Sequence, residues 1–133
     1  MKPAVMFLCV HNAGRSQMAA AFARQLGGER LDVFSAGSAP GEQLNPAVVA
    51  AMAEVDLDIT NESPKKLTEE MAQRADVIVT MGCGDACPYY PGKRYDDWEL
   101  TDPAGKAVDE VRAIRDEIEG RVRSLVKELL GDA

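Results

Sequence analysis

The chain is poor in the residues that build metal and disulfide scaffolds. Its 133 residues contain one histidine, His11, and three cysteines, Cys9, Cys83 and Cys87. A structural zinc site takes four Cys or His ligands, so a cysteine pair with one distant histidine cannot complete one. A small, odd cysteine count also excludes a secreted disulfide framework and fits three free thiols in a reducing compartment. Basic charge is in deficit: 15 Lys and Arg stand against 22 Asp and Glu, for a net charge of −7. Nucleic acid and anionic membrane both need a basic surface, so neither is an expected partner. No apolar run approaches the ~20 residues of a membrane-spanning helix. Lys2 followed by Ala4 to Val10 imitates a secretory leader, but the run is short and ends in His11, Asn12 and Arg15, so a cytoplasmic location is expected.

Hydrophobic content is 46% and charged content 28%, which suits one globular domain over residues 1–133. Apolar runs at Val5 to Cys9, Leu31 to Ala36 and Ala75 to Met81 read as buried parallel strands, with a short fourth within Lys93 to Trp98. Ser16 to Leu26 reads as a helix stopped by Gly27-Gly28. Asn45-Pro46 caps a helix from Ala47 to about Val55, and Thr68 opens a short one. Asp109 to Leu130 is amphipathic, with Val111, Ile114, Ile118, Val122, Leu125 and Leu129 on one face. Asp58 to Lys65 and Gly82 to Gly92 read as irregular. Strands alternate with helices, so the expected architecture is α/β with a parallel, helix-covered sheet. Ligands of such sheets lie beyond the strand C-termini, where Cys9 and the segment after Met81 both emerge.

Cys9 ends the first strand, and five residues later Arg15 and Ser16 open a helix. Unpaired amides and the helix dipole make such a loop an anion site, and the same field favours a nucleophilic sulfur. The amides of Val10, His11, Asn12, Ala13, Gly14 and Arg15 are the candidate oxyanion donors. Arg15 adds a planar, permanently charged fork, which a chain of net negative charge needs locally. Ser16 is placed to donate to the Cys9 sulfur. Asn12 is expected to hold the loop through local Asx-type bonds, and Gly14 to supply unusual backbone angles. His11 is a conceivable base, but is read as a partly exposed loop residue making one backbone hydrogen bond. Thr101-Asp102-Pro103 follows the fourth strand. By itself Asp-Pro is a turn signal, but beside a nucleophile Asp102 becomes the candidate acid for a leaving oxygen. Trp98 and Tyr95 read as core or rim, and Lys65-Lys66 as a solvated pair.

Five stretches carry a family resemblance: Cys9 to Ala19, Val33 to Gly37, Asp76 to Met81, Trp98 to Lys106, and Ile114 to Ile118. The chain resembles the low-molecular-weight protein tyrosine phosphatase fold family and, within it, the arsenate reductases built on that fold. The resemblance implies a four-stranded parallel sheet of flavodoxin-like order with helices on both faces. It implies Cys9 as nucleophile, Arg15 as oxyanion clamp and Asp102 as acid. The substrate is then arsenate, with phosphate or sulfate as mimics.

Cys83 and Cys87 separate reductase from phosphatase, because reducing arsenate takes two electrons and phosphate transfer takes none. They are read as a redox pair, with two incidental thiols as the alternative. In the implied relay Cys9 forms a thiol–arsenic(V) ester, Cys83 attacks the Cys9 sulfur, and Cys87 then takes over Cys83. Better-known thioredoxin-linked members place more residues between those two thiols, and related enzymes use mycothiol or glutathione. The donor is therefore thioredoxin or a small thiol, and a transferase using Cys9 alone is one alternative. A phosphatase acting on aryl phosphates and a non-enzymatic oxyanion sensor are the others. Some reductases of this fold bind potassium; Asn12 and Ser35 match that pattern but Ala20 replaces an acid, so no tightly bound cofactor is expected. After Asp102-Pro103 come Ala104, Gly105 and Lys106 rather than aromatics, which suits a small inorganic oxyanion.

Overall fold

The computed structural model describes residues 2–82 and 88–131. Four strands form one sheet: β1 (Ala4–Cys9), β2 (Asp32–Gly37), β3 (Val77–Thr80) and β4 (Arg94–Asp97). Their order is β2-β1-β3-β4 and every neighbouring pair is parallel, as expected. The helices are α1 (Arg15–Gly27), α2 (Pro46–Ala53), α3 (Glu69–Arg74) and α4 (Val108–Leu130), with one 3-10 turn at Gly28–Arg30.

Alternation along β1 assigns the two faces. Val5, Phe7 and Cys9 pack under α1, α2 and α4 with Met18, Phe22, Met52, Ile118 and Val122. Met6 and Leu8 face the other way, with Ala36, Ala72 and Ile78 beside α3. Both faces of β1 are buried, which is why it reads as an unbroken apolar run. Trp98 joins the larger cluster, 5.9 Å from the Phe7 ring centroid.

The expected caps form. Asn45 Oδ1 accepts the Ala47 N–H and Thr68 Oγ1 the Met71 N–H. One charged residue departs from the expected apolar face of α4. Arg115 is buried there, donating to Ala51 O and Glu54 and pairing with Asp116. Arg112 grips the same Glu54 carboxylate at 2.6 to 3.0 Å. Hydrogen bonding from Arg112, and then from Arg115, holds the Glu54 pKa down at about 2. The two arginines thereby tie α2 to α4. No helix among the described residues is long and apolar enough to cross a membrane.

Candidate active site

β1 delivers Cys9 to the C-terminal edge of the sheet. Its sulfur is buried, lies 2.9 Å from Ser16 Oγ and accepts the Asn12 N–H at 3.3 Å. Ser16 Oγ also accepts from Asn12 Nδ2 at 2.7 Å. That amide can only donate, so the Ser16 hydroxyl hydrogen is left for the Cys9 sulfur.

The loop shape follows from where its carbonyls go. Ser38 N donates to Cys9 O, Ala39 N to Val10 O, Gly41 N to His11 O, Asn45 N to Ala13 O and Met18 N to Gly14 O, all within 3.2 Å. Gln17 Nε2 donates to Asn12 O at 3.1 Å. Six consecutive carbonyls are thus tied outward. In a trans peptide the N–H points opposite the C=O, so the amides of Val10 to Arg15 turn away from those ties and toward the inside of the loop, where the Asn12 N–H meets the Cys9 sulfur. Such an arrangement at a helix start can receive an oxyanion.

Arg15 closes one side. It is the first residue of α1 and only 8% exposed. Its Nη1 donates to Leu100 O at 3.2 Å, and its Nη2 lies 3.8 Å from Asp102 Oδ2. Asp102 is itself exposed and its Oδ1 accepts the Ala104 N–H at 3.0 Å. The acid loop packs on the oxyanion loop where the latter has no side chain: a Cβ on Gly14 would stand 2.8 Å from Pro103 Cγ. Asn45 Nδ2 donates to Pro103 O at 3.3 Å, so Asn45 joins the oxyanion loop, the start of α2 and the acid loop. The result is a cleft of about 300 Å³ lined by Cys9, His11, Arg15, Asn45, Asp102 and Pro103 among others. His11 is exposed at this lining, with its carbonyl tied to Gly41.

One expectation is corrected. Asn12 does not make local Asx bonds. It is fully buried with φ of 51°, and its Oδ1 accepts from Lys65 N at 2.8 Å and Gln17 Nε2 at 3.0 Å. Lys65 keeps a solvated side chain, as expected, while its backbone joins this network. Its N–H supports Asn12, its carbonyl accepts from Gly37 N, and its Nζ reaches Glu62 and Ser63 O. Gln17, fully buried and bonded also to Ser63 O, went unread in the sequence, as did Leu100 and the backbone of Ser38 to Asn45. Their only signal was position: Ser38 to Gly41 follow β2 at the same sheet edge as Cys9. Cys83 and Cys87 lie outside the described residues.

The donors around Asn12 are neutral. Asn12 Oδ1 is already engaged by two N–H groups, and Gln17 Oε1 and Ser35 Oγ, both buried, have no hydrogen-bond partner among the described residues. Among the described residues no group of three or more His, Cys, Asp or Glu side chains gathers to hold a metal.

Comparison with known proteins shows the family. Residues 4–133 match the model of the low molecular weight phosphotyrosine protein phosphatase family, and the chain belongs to that family. It is 36% identical over 126 residues to arsenate reductase 2 of Staphylococcus saprophyticus, covering 92% of this chain and 95% of that one. Among solved structures, a thioredoxin-dependent arsenate reductase of Corynebacterium glutamicum is 42% identical with a TM-score of 0.83. That alignment covers 99% of this chain and 63% of the other, so this chain spans under two thirds of that relative's length. An arsenate reductase in its phosphate-binding state is 32% identical with a TM-score of 0.85, over 97% of this chain and 99% of the other.

Proposed function

We propose that this protein reduces arsenate to arsenite by a thiol relay in the cytoplasm, with thioredoxin or a small thiol such as mycothiol restoring the enzyme. The observation that carries the proposal is the set of six outward-tied carbonyls, which turns the amides of Val10 to Arg15 toward a tetrahedral oxyanion above the Cys9 sulfur. The arsenate reductases among the relatives favour arsenate over a phosphate ester as the oxyanion.

The Cys9 sulfur attacks arsenic and an S–As bond forms. One arsenate oxygen leaves as water, protonated by Asp102, while Arg15 and the loop amides hold the remaining oxygens. The thiolate of Cys83 then attacks the Cys9 sulfur. An S–S bond forms, the S–As bond breaks, and its electron pair leaves with arsenic, now arsenite. Cys87 next attacks Cys83, frees Cys9 and passes a Cys83–Cys87 disulfide to an external thiol. Both electrons come from sulfur, so the relay calls for no tightly bound cofactor, and the neutral donors around Asn12 offer a cation no carboxylate.

Single-turnover assays with disulfide mapping test this. Cys87→Ser should release about one arsenite per enzyme and stall as a Cys9–Cys83 disulfide, and Cys83→Ser should release essentially none without added thiol. Normal turnover of the Cys83/Cys87 double variant with a small thiol would remove the pair from the mechanism and leave Cys9 as the sole essential thiol. Faster turnover of an aryl phosphate than of arsenate in the intact protein would favour a phosphatase instead.

A further inference from the structure

We propose that Gly82 is a positioning residue for the Arg15 clamp: the missing side chain at the end of β3 is the space in which the guanidinium sits. The proposal rests on the reading of Arg15 as the oxyanion clamp. A Cβ built on Gly82 would stand 2.5 Å from Arg15 Nη1 and 3.5 Å from its Cζ, with Leu100 O at 3.9 Å. Carbon and nitrogen do not approach that closely, so one of them must move. Gly82 follows Met81, whose N–H is bonded to Leu8 O at 2.9 Å inside the sheet. The guanidinium is the free end of a flexible chain, so it is the group that yields. It is held in place by Leu100 O at 3.2 Å and faces Asp102 at 3.8 Å. An added methyl at position 82 therefore presses on the same Nη1 that donates to Leu100 O, and a planar fork pushed off its position loses bidentate geometry before it loses charge.

Gly82 also has φ of +81°, which a side chain resists on its own account. The fold supplies a matched control. Gly92 has φ of +86° with nothing within 4 Å of its would-be Cβ, so Gly92→Ala carries the backbone cost without the collision.

The probe is inorganic phosphate, its affinity read as protection of Cys9 from alkylation followed by peptide mass mapping. Gly82→Ala should weaken phosphate on the order of tenfold, the scale of one charge-assisted hydrogen bond. Gly92→Ala should stay within about twofold of the starting protein, and adding Gly82→Ala to Arg15→Ala should change the affinity of Arg15→Ala by no more than about twofold, because the effect runs through a group already removed. Unchanged affinity in Gly82→Ala, a loss matched by Gly92→Ala, or an equal loss with and without the Arg15 side chain would each overturn the proposal. If Arg15→Ala binds phosphate normally, the clamp reading itself fails and takes the proposal with it. A weakened Arg15→Ala beside a normal Gly82→Ala refutes the Gly82 role alone. Should Gly82→Ala not fold, Gly82→Asn replaces it, since Asn tolerates positive φ and still carries the offending Cβ; the same outcomes then apply.

Discussion

Removing the Asn12 side chain tests how the oxyanion loop is held, and the structure sets the size of the effect. Lys65 N–H loses its acceptor Oδ1 at 2.8 Å, and a stranded, half-buried donor costs about 1–3 kcal/mol. Ser16 Oγ loses the Nδ2 donor at 2.7 Å but keeps Cys9, at a cost of about 0.5–1.5 kcal/mol. Gln17 Nε2 keeps Asn12 O and Ser63 O, so its loss is small. The lost side-chain bonds therefore sum to about 1.5–4.5 kcal/mol. Ala adds about 1–2 kcal/mol for standing at φ of 51°, where L side chains crowd the backbone. Gly avoids that strain but costs about 0.5–1 kcal/mol in chain entropy.

Asn12→Ala and Asn12→Gly should thus both lose several kcal/mol of a total near 5–15 kcal/mol, with Ala the worse by up to about 1.5 kcal/mol. Urea unfolding with matched m-values measures both. Arsenate turnover should fall in parallel, because the amides of the loop lose the template that Asn12 provides. The reasoning fails if Asn12→Gly lies within about 0.5 kcal/mol of the starting protein, since the buried network would then contribute nothing.

Three further outcomes follow from the same geometry. Asp102→Asn keeps an oxygen for the Ala104 N–H but cannot give up a proton, so the first chemical step should slow by about 10²–10⁴-fold; an unchanged single-turnover rate at neutral pH would strike Asp102 from the mechanism. Arg15→Lys keeps the charge but not the fork, so phosphate should bind on the order of 10- to 100-fold more weakly, and near-normal affinity by calorimetry would argue against the clamp. Glu54, held near a pKa of about 2 against an ordinary 4.5 chiefly by hydrogen bonding from Arg112, contributes stability that is complete above 4.5 and lost as pH falls toward 2. The stability gap between the protein and Glu54→Gln should therefore close across that window in urea titrations, and a gap that stays constant from neutral pH down to the folded pKa would show that the arginines do not hold the carboxylate.

The strands were legible because a parallel sheet covered on both faces leaves an apolar run in the sequence. β1 and β3 follow this rule, and their ends moved by one or two residues only. The candidate site loop was legible because sulfur, turn and helix start are contiguous between Cys9 and Ser16. What supports the loop was not, because support comes from far along the chain. Asn12 looks like a local turn former, yet its partner Lys65 N lies 53 residues away. Arg115 sits on the apolar stripe of α4, where a charge reads as an error of spacing. Only the fold shows Glu54, 61 residues earlier, bringing a carboxylate to it. Asn45 was read as a helix cap and is one, but its second role at Pro103 is a contact over 58 residues. Pairings of that separation leave no periodic trace in one sequence.

A phosphatase and an arsenate reductase can share this site because their first steps coincide. Each begins with sulfur attacking a tetrahedral pentavalent centre while an oxygen leaves with a proton, the step proposed for Cys9, Arg15 and Asp102. The paths divide over which way the new bond to sulfur breaks. Water attacking phosphorus returns the electron pair to sulfur and no redox change occurs. A second thiolate attacking sulfur sends the pair to arsenic, which accepts it. The second route needs a thiol at the edge of the sheet where Cys9 ends β1. β3 is the strand that lies beside β1, with Leu8 level with Thr80 and Met81 bonded to Leu8, and Gly82 stands against Arg15. On the proposed relay, a chain that kept the loop and lost the thiols after β3 would retain the first step and would depend on an external thiol for the reduction. On that proposal the thiols, not the loop, carry the distinction between the two chemistries.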